Sequence, residues 1–164
     1  MSPERLWLLS IALRRRGHPR LARLIKRVNA ALYRNSLPPS SSVGEGLTLG
    51  NHSLGTVIHS NVVIGDRVSI SHGVTIAVRA GSKAPYKAII EDDVSIGTGA
   101  VVITPHRADL RIGRGASIGP GAVVTRDVAP GARVLCAPAR VMEAGERGAE
   151  GYDEGAVLDA EAER

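Results

Sequence analysis

Aliphatic residues recur at every sixth position between Ile58 and Val124, and that period narrows the possible folds more than anything else in the chain. Ile58, Ile64, Ile70 and Ile76 open the series; Ile90, Ile96 and Val102 resume it; Ile112, Ile118 and Val124 close it. Four residues into these units stands a second small or β-branched residue: Val62, Val68, Val74, Val94, Ala100, Ala116, Ala122 and Val128. Turn formers fill the gaps, among them Gly65-Asp66, Gly97-Thr98-Gly99, Gly113-Arg114-Gly115 and Gly119-Pro120-Gly121. Helices repeat at about 3.6 residues and simple strands at two. A period of six describes a short strand and a tight turn repeated, which is how a parallel β-helix reads.

Three such units make one triangular coil of about eighteen residues. Each coil would hydrogen-bond to the next at about 4.8 Å, stacking the aliphatic side chains into ladders. No coil buries its apolar face alone; its neighbours do that. The absence of Phe agrees, because a narrow prism has no room for rings. Trp7, Tyr33, Tyr86 and Tyr152 all lie outside the regular units. The fold class is therefore mainly β, with short N-terminal α-helices.

Charge is distributed unevenly. The net charge of +5 combines nine basic side chains against Glu4 in residues 1–36 with eight acidic ones against Arg147 and Arg164 in residues 143–164. A lone Cys136 excludes an intrachain disulfide framework and suits a reducing cytoplasm. No stretch approaches the roughly 20 apolar residues of a membrane span. The apolar run from Leu6 to Leu13 precedes its arginines, the reverse of a signal peptide, so a cytoplasmic location is expected.

Three segments follow from this pattern. Residues 1–36 form a helical cap, residues 37–141 the β-helix, and residues 142–164 an acidic tail expected to be disordered. In the cap, Leu6, Leu9 and Leu13 share one face of a first helix, and Gly17-His18-Pro19 breaks it. Leu21, Leu24, Ile25, Val28 and Leu32 form the stripe of a second helix, with Arg20, Arg23, Lys26 and Arg27 outside it. These helices are expected to close the open end of the prism. The alternative is a basic peripheral membrane contact. Nucleic acid is not expected as a partner, since no recognition motif accompanies the charge.

Interruptions of a regular repeat are where loops carry function. Residues 50–57 contain Asn51-His52-Ser53-Leu54-Gly55, residues 77–89 insert a long loop, and residues 103–111 insert a shorter one with His106. The segments Gly46-Leu47-Thr48-Leu49 through His52, Gly55-Thr56-Val57-Ile58, Ile64-Gly65-Asp66-Arg67-Val68-Ser69-Ile70 and Gly73-Val74-Thr75-Ile76 resemble the hexapeptide-repeat acyltransferases. So do Ile96-Gly97-Thr98-Gly99-Ala100 and Ala137-Pro138-Ala139-Arg140. The likeness is strongest to the serine O-acetyltransferase branch and its polysaccharide-modifying relatives, from about Pro38 to Val141. It implies a left-handed parallel β-helix, a homotrimer, and acetyl-CoA bound as cosubstrate between neighbouring prisms.

Moving an acetyl group from a thioester to a hydroxyl requires a base to take the hydroxyl proton. An imidazole with an ordinary pKa near 6.5 can do so at neutral pH. The resemblance points to His52, placed just before the Gly-x-Val-Ile segment; counted forward from Leu49 the same position falls on Asn51, which cannot be a base. Where the serine enzymes have Asp before this His, Asn51 stands here. His72 is next in line, and His59 could also line a groove between prisms. For acetyl-CoA, the small residues Gly97, Thr98 and Gly99 and the turn at Pro120 could let a pantetheine arm lie along the backbone. Arg140, Arg133 and Lys83 could meet the phosphates. No metal is expected. The position of a loop His that helps the serine enzymes hold their amino acid is Ala84, and only two short helices precede the prism, so a sugar, a polysaccharide precursor or another small hydroxyl compound competes with serine as acceptor. Two rival readings are a non-catalytic scaffold and a metalloenzyme like the γ-carbonic anhydrases; the latter family's His-x4-His pair is absent from this sequence.

Overall fold

The computed structural model describes residues 2–79 and 85–137. Two helices, α1 (Pro3–Arg15) and α2 (Pro19–Tyr33), precede thirteen short strands. The strands form three parallel sheets, one for each side of a triangular prism. The first side holds β1 (Ser42–Val43), β4 (Val62–Ile64), β7 (Ala88–Ile90) and β10 (Leu110–Ile112). The second holds β2 (Thr48–Leu49), β5 (Ser69–Ile70), β8 (Ser95–Ile96), β11 (Ser117–Ile118) and β13 (Arg133–Val134). The third holds β3 (Val57–Ile58), β6 (Thr75–Ala77), β9 (Val101–Ile103) and β12 (Val123–Val124). This is the expected parallel β-helix, about four turns long and consistent with the left-handed form.

Every aliphatic residue of the six-residue series is buried, and so is every small residue four places on. The ladders follow from strand register: Leu49 pairs with Ile70, Ile70 with Ile96, and Ile96 with Ile118. Each wholly buried aliphatic side chain contributes about 1.5–3 kcal/mol through removal from water.

Coil length is less uniform than the sequence period suggests. Val57 pairs with Thr75, eighteen residues on, but Thr48 pairs with Ser69, Ser69 with Ser95, and Ser95 with Ser117. The extra residues fall in the connections between strands. Those between β6 and β7 and between β9 and β10 emerge at the edge joining the third side to the first, and the segment Gly50–Ser53 emerges where the second side meets the third.

The helical unit differs from expectation in which faces it buries. α1 closes the end of the core with Leu6, Trp7 and Ile11, while Leu9 is exposed. The Trp7 indole donates to the Pro38 carbonyl oxygen at 2.8 Å, which gives its one polar atom a partner inside an apolar site. α2 buries Ala22 and Asn29 instead of its leucine stripe. Leu21, Leu24, Val28 and Leu32 stay exposed, at 39–64% of their surface. The reason is close packing against α1: a small residue at position 22 lets the helices approach, and the Asn29 amide donates to the Pro3 carbonyl oxygen at 3.0 Å. No helix among the described residues is long and apolar enough to cross a membrane.

Candidate functional site

Successive corners of the prism stack like its strands. Where the second side turns into the third, the Gly73 N–H donates to the Leu54 oxygen, Gly99 to His72, and Gly121 to Thr98, at 2.8–3.1 Å. Leu54, His72, Thr98 and Pro120 therefore form one column, and Gly55, Gly73, Gly99 and Gly121 the next. All four glycines have left-handed φ, from 67° to 70°. His52, His72, Gly97, Thr98, Gly99 and Pro120, all expected at the site, thus come together on this single edge, the histidine edge. Arg140, with Lys83 and Ala84, lies outside the described residues.

Gly97 is required by contact: a Cβ there would lie 2.6 Å from the Pro120 nitrogen. Gly99 and Gly121 are different, since a Cβ on either would meet nothing within 4 Å. Their bareness leaves an open strip of backbone running past His72.

The segment before this column is strained. Asn51, His52 and Ser53 all have left-handed φ, at 46°, 57° and 55°. Left-handed backbone costs roughly 1–2 kcal/mol for each non-glycine residue, somewhat less for Asn and His. His52 is exposed, and its ring stacks on Tyr33 with centroids 5.9 Å apart and planes 24° from parallel.

His72, half-buried, lies one coil further on. Its Nδ1 is 2.9 Å from the Asn51 side-chain nitrogen. An amide NH₂ can only donate, so Nδ1 accepts, and the neutral ring keeps its proton on Nε2. Asn51, which stands where the resemblance places an Asp before the candidate base, thus pairs with His72 and not with the adjacent His52. Coil register explains the pairing: Leu49 lies beside Ile70, and the same offset carries Asn51 to His72.

The remaining histidines stand apart. His59 Nδ1 accepts the Asn61 N–H at 3.1 Å on the edge that bears the loops, and His106 is exposed in the second loop there. Among the described residues no three His, Cys, Asp or Glu side chains gather as metal ligands.

At the edge between the first and second sides, the same turn is built from charge. Its column runs Glu45, Asp66, Asp92, Arg114, linked by N–H donation from Arg67, Asp93 and Gly115 at 2.7–2.9 Å. Arg67 and Asp93 occupy the left-handed position, at φ 53° and 60°, and pair with each other at 2.6 Å. Hydrogen bonding from Arg67 holds the Asp93 carboxyl below its ordinary pKa and raises that of Arg67. Arg111, and then the Arg114 backbone N–H, lower that of Glu91.

A prism of stacked six-residue turns with a histidine-bearing edge defines the class: a hexapeptide-repeat β-helix, homologous to serine acetyltransferases. No family model matches the chain. The serine acetyltransferase of Bacillus pumilus (strain SAFR-032) is 34% identical over 122 residues, which cover 74% of this chain and 54% of that protein. That of Bacillus subtilis (strain 168) is 33% identical over 131 residues, covering 80% and 58%. Among solved structures, Neisseria gonorrhoeae serine acetyltransferase in complex with serine superposes with a TM-score of 0.71 at 30% identity, over 85% of this chain and 55% of that one. The coenzyme A complex of Brucella abortus (strain S19) serine acetyltransferase gives 0.73 at 28% identity, over 83% and 52%. The chain spans about half the length of these relatives.

Sequence reasoning missed Tyr33, whose ring stacks on His52. Tyr33 belongs to the helical unit, distant in sequence from the loop it touches. No period marks it. The Asn51–His72 pairing was open to counting only once coils were allowed unequal lengths.

Proposed function

We propose that this chain is an acetyl-CoA-dependent O-acetyltransferase acting on a small hydroxyl acceptor, with His52 as the general base. The observation that carries the reading is the bare glycine strip at Gly99 and Gly121 running beside two histidines. A pantetheine arm can lie on that strip and bond to its backbone, with Gly97, Thr98 and Pro120 around it and Arg133 toward the phosphates.

His52, exposed and stacked on Tyr33, takes the acceptor proton as the oxygen attacks the thioester carbonyl. The Nε2–H of His72, fixed by Asn51, supplies a donor to the oxygen that gains charge. The imidazolium at His52 then returns its proton to the departing thiolate, and the acetyl ester and free thiol result. Serine is the first acceptor to test, because the matched relatives are named for it. Amino sugars and nucleotide sugars follow. Assembly in threes is part of the proposal; the exposed Val57 and Val123 on the third side support a face that meets another copy.

Thiol release from acetyl-CoA, followed with each acceptor, tests the proposal. His52→Ala is expected to lower kcat at least about 100-fold while leaving the fold intact. Turnover close to normal would move the base to another histidine. Absence of turnover with every acceptor, together with no acetyl-CoA binding by calorimetry, would favour the scaffold.

A further inference from the structure

The helical unit reaches further than the end of the prism. Arg34, left-handed at φ 51°, ends α2 and turns the next residues toward the loop that carries His52. Asn35, nearly buried, donates through Nδ2 to Ser53 Oγ at 2.6 Å and to Asn29 Oδ1 at 3.2 Å. Asn29 donates in turn to the Pro3 carbonyl. A buried polar chain therefore runs from the first residue of α1, through α2, to the residue after His52. The Gly55 N–H donates to the Arg34 oxygen at 3.1 Å, closing the loop against the helix from its other side. Tyr33, the last residue of α2, lies over the His52 ring.

Three successive left-handed residues do not hold themselves; surrounding structure must fix them. Here the fixing groups are specific. Ser53 is wholly buried, so its hydroxyl serves the Asn35 amide and not solvent. An exposed imidazole on a loop would otherwise sample several rotamers, and a proton acceptor displaced by about 1 Å loses up to about 100-fold in rate. A network of uncharged polar groups with fixed geometry counters that loss more selectively than apolar packing would.

We propose that Tyr33, Asn35 and Ser53 are positioning residues for His52: the amide and hydroxyl lock the loop backbone, and the phenol ring sets the imidazole plane. This rests on the reading of His52 as the base, but the geometry can be tested separately from turnover.

Ser53→Gly is the informative variant. Glycine adopts left-handed φ without strain, so the fold is preserved while the Oγ acceptor is lost. The full chain, wild type and variants, is treated with diethyl pyrocarbonate, and labelling of His52 is measured by peptide mass spectrometry against His106 in the same sample. In Ser53→Gly and in Tyr33→Ala the labelling ratio is expected to rise at least about threefold and kcat to fall about tenfold, with KM for acetyl-CoA within about twofold. Tyr33→Phe keeps the ring over His52 and should bring the labelling ratio back toward that of the wild type. An unchanged ratio in Ser53→Gly and Tyr33→Ala overturns the proposal, whether or not kcat falls. A raised ratio with unchanged kcat upholds the positioning role and removes His52 as the base.

Discussion

Two edges of one prism share a turn and differ in what fills it. On both, the third corner residue is left-handed and its N–H donates to the preceding coil. Along the charged edge that position holds Gly46, Arg67, Asp93, Gly115 and Gly131, and its two charged residues pair across coils. On the histidine edge it is Gly55, Gly73, Gly99 and Gly121 throughout. Backbone strain alone does not explain the second pattern, because the first edge tolerates the same strain with charged side chains. Packing does not explain it either at Gly99 and Gly121, where a Cβ would find open space. Gly115 and Gly131 on the charged edge are equally open, so the difference is confined to the coils where Arg67 and Asp93 stand on one edge and Gly73 and Gly99 on the other.

Exchanging residues between the edges tests that contrast most directly. Gly99→Asp places the charged edge's residue on the clear strip. It should raise KM for acetyl-CoA at least about tenfold in the thiol-release assay, through side-chain bulk and repulsion of phosphate, against a backbone cost of only about 1–2 kcal/mol. Unimpaired binding would show that the strip is not used. The reciprocal change, Asp93→Gly, removes the pair with Arg67 but also its left-handed strain. It should move Tm by no more than a few degrees and leave turnover unaltered, as thermal denaturation and kinetics would reveal; a fall in turnover would mean the charged edge takes part in catalysis.

Acid provides the mildest test. Asp93 and Glu91 have depressed pKa values in the folded chain. The stability they contribute is present above their unfolded values and is lost as pH falls through the folded ones. Both groups are exposed, so a Tm series from neutral pH into the acid range below ordinary carboxylates should show only a shallow decline. Asp93→Gly should flatten it further, and an unchanged slope would assign the decline to other carboxylates.

The aliphatic ladders were legible because burial in a stacked coil repeats one demand at each corner; Ile70 and Ile96 announce themselves by period alone. His52 and His72 were legible through chemistry and resemblance. The Tyr33–His52 stack and the Asn35–Ser53 bond were not, since they join a helix to a loop through tertiary contacts that no repeat encodes. Nor was the outward stripe of α2. Helical spacing identified an apolar face, but the small Ala22 and the polar Asn29 determined which face met α1.

The two longest connections both join a strand of the third side to a strand of the first. Chain length can therefore vary there as freely as bristles on a brush, while the rungs below keep their pairing. Changes of length at that margin leave the stacked corners of the histidine edge in register.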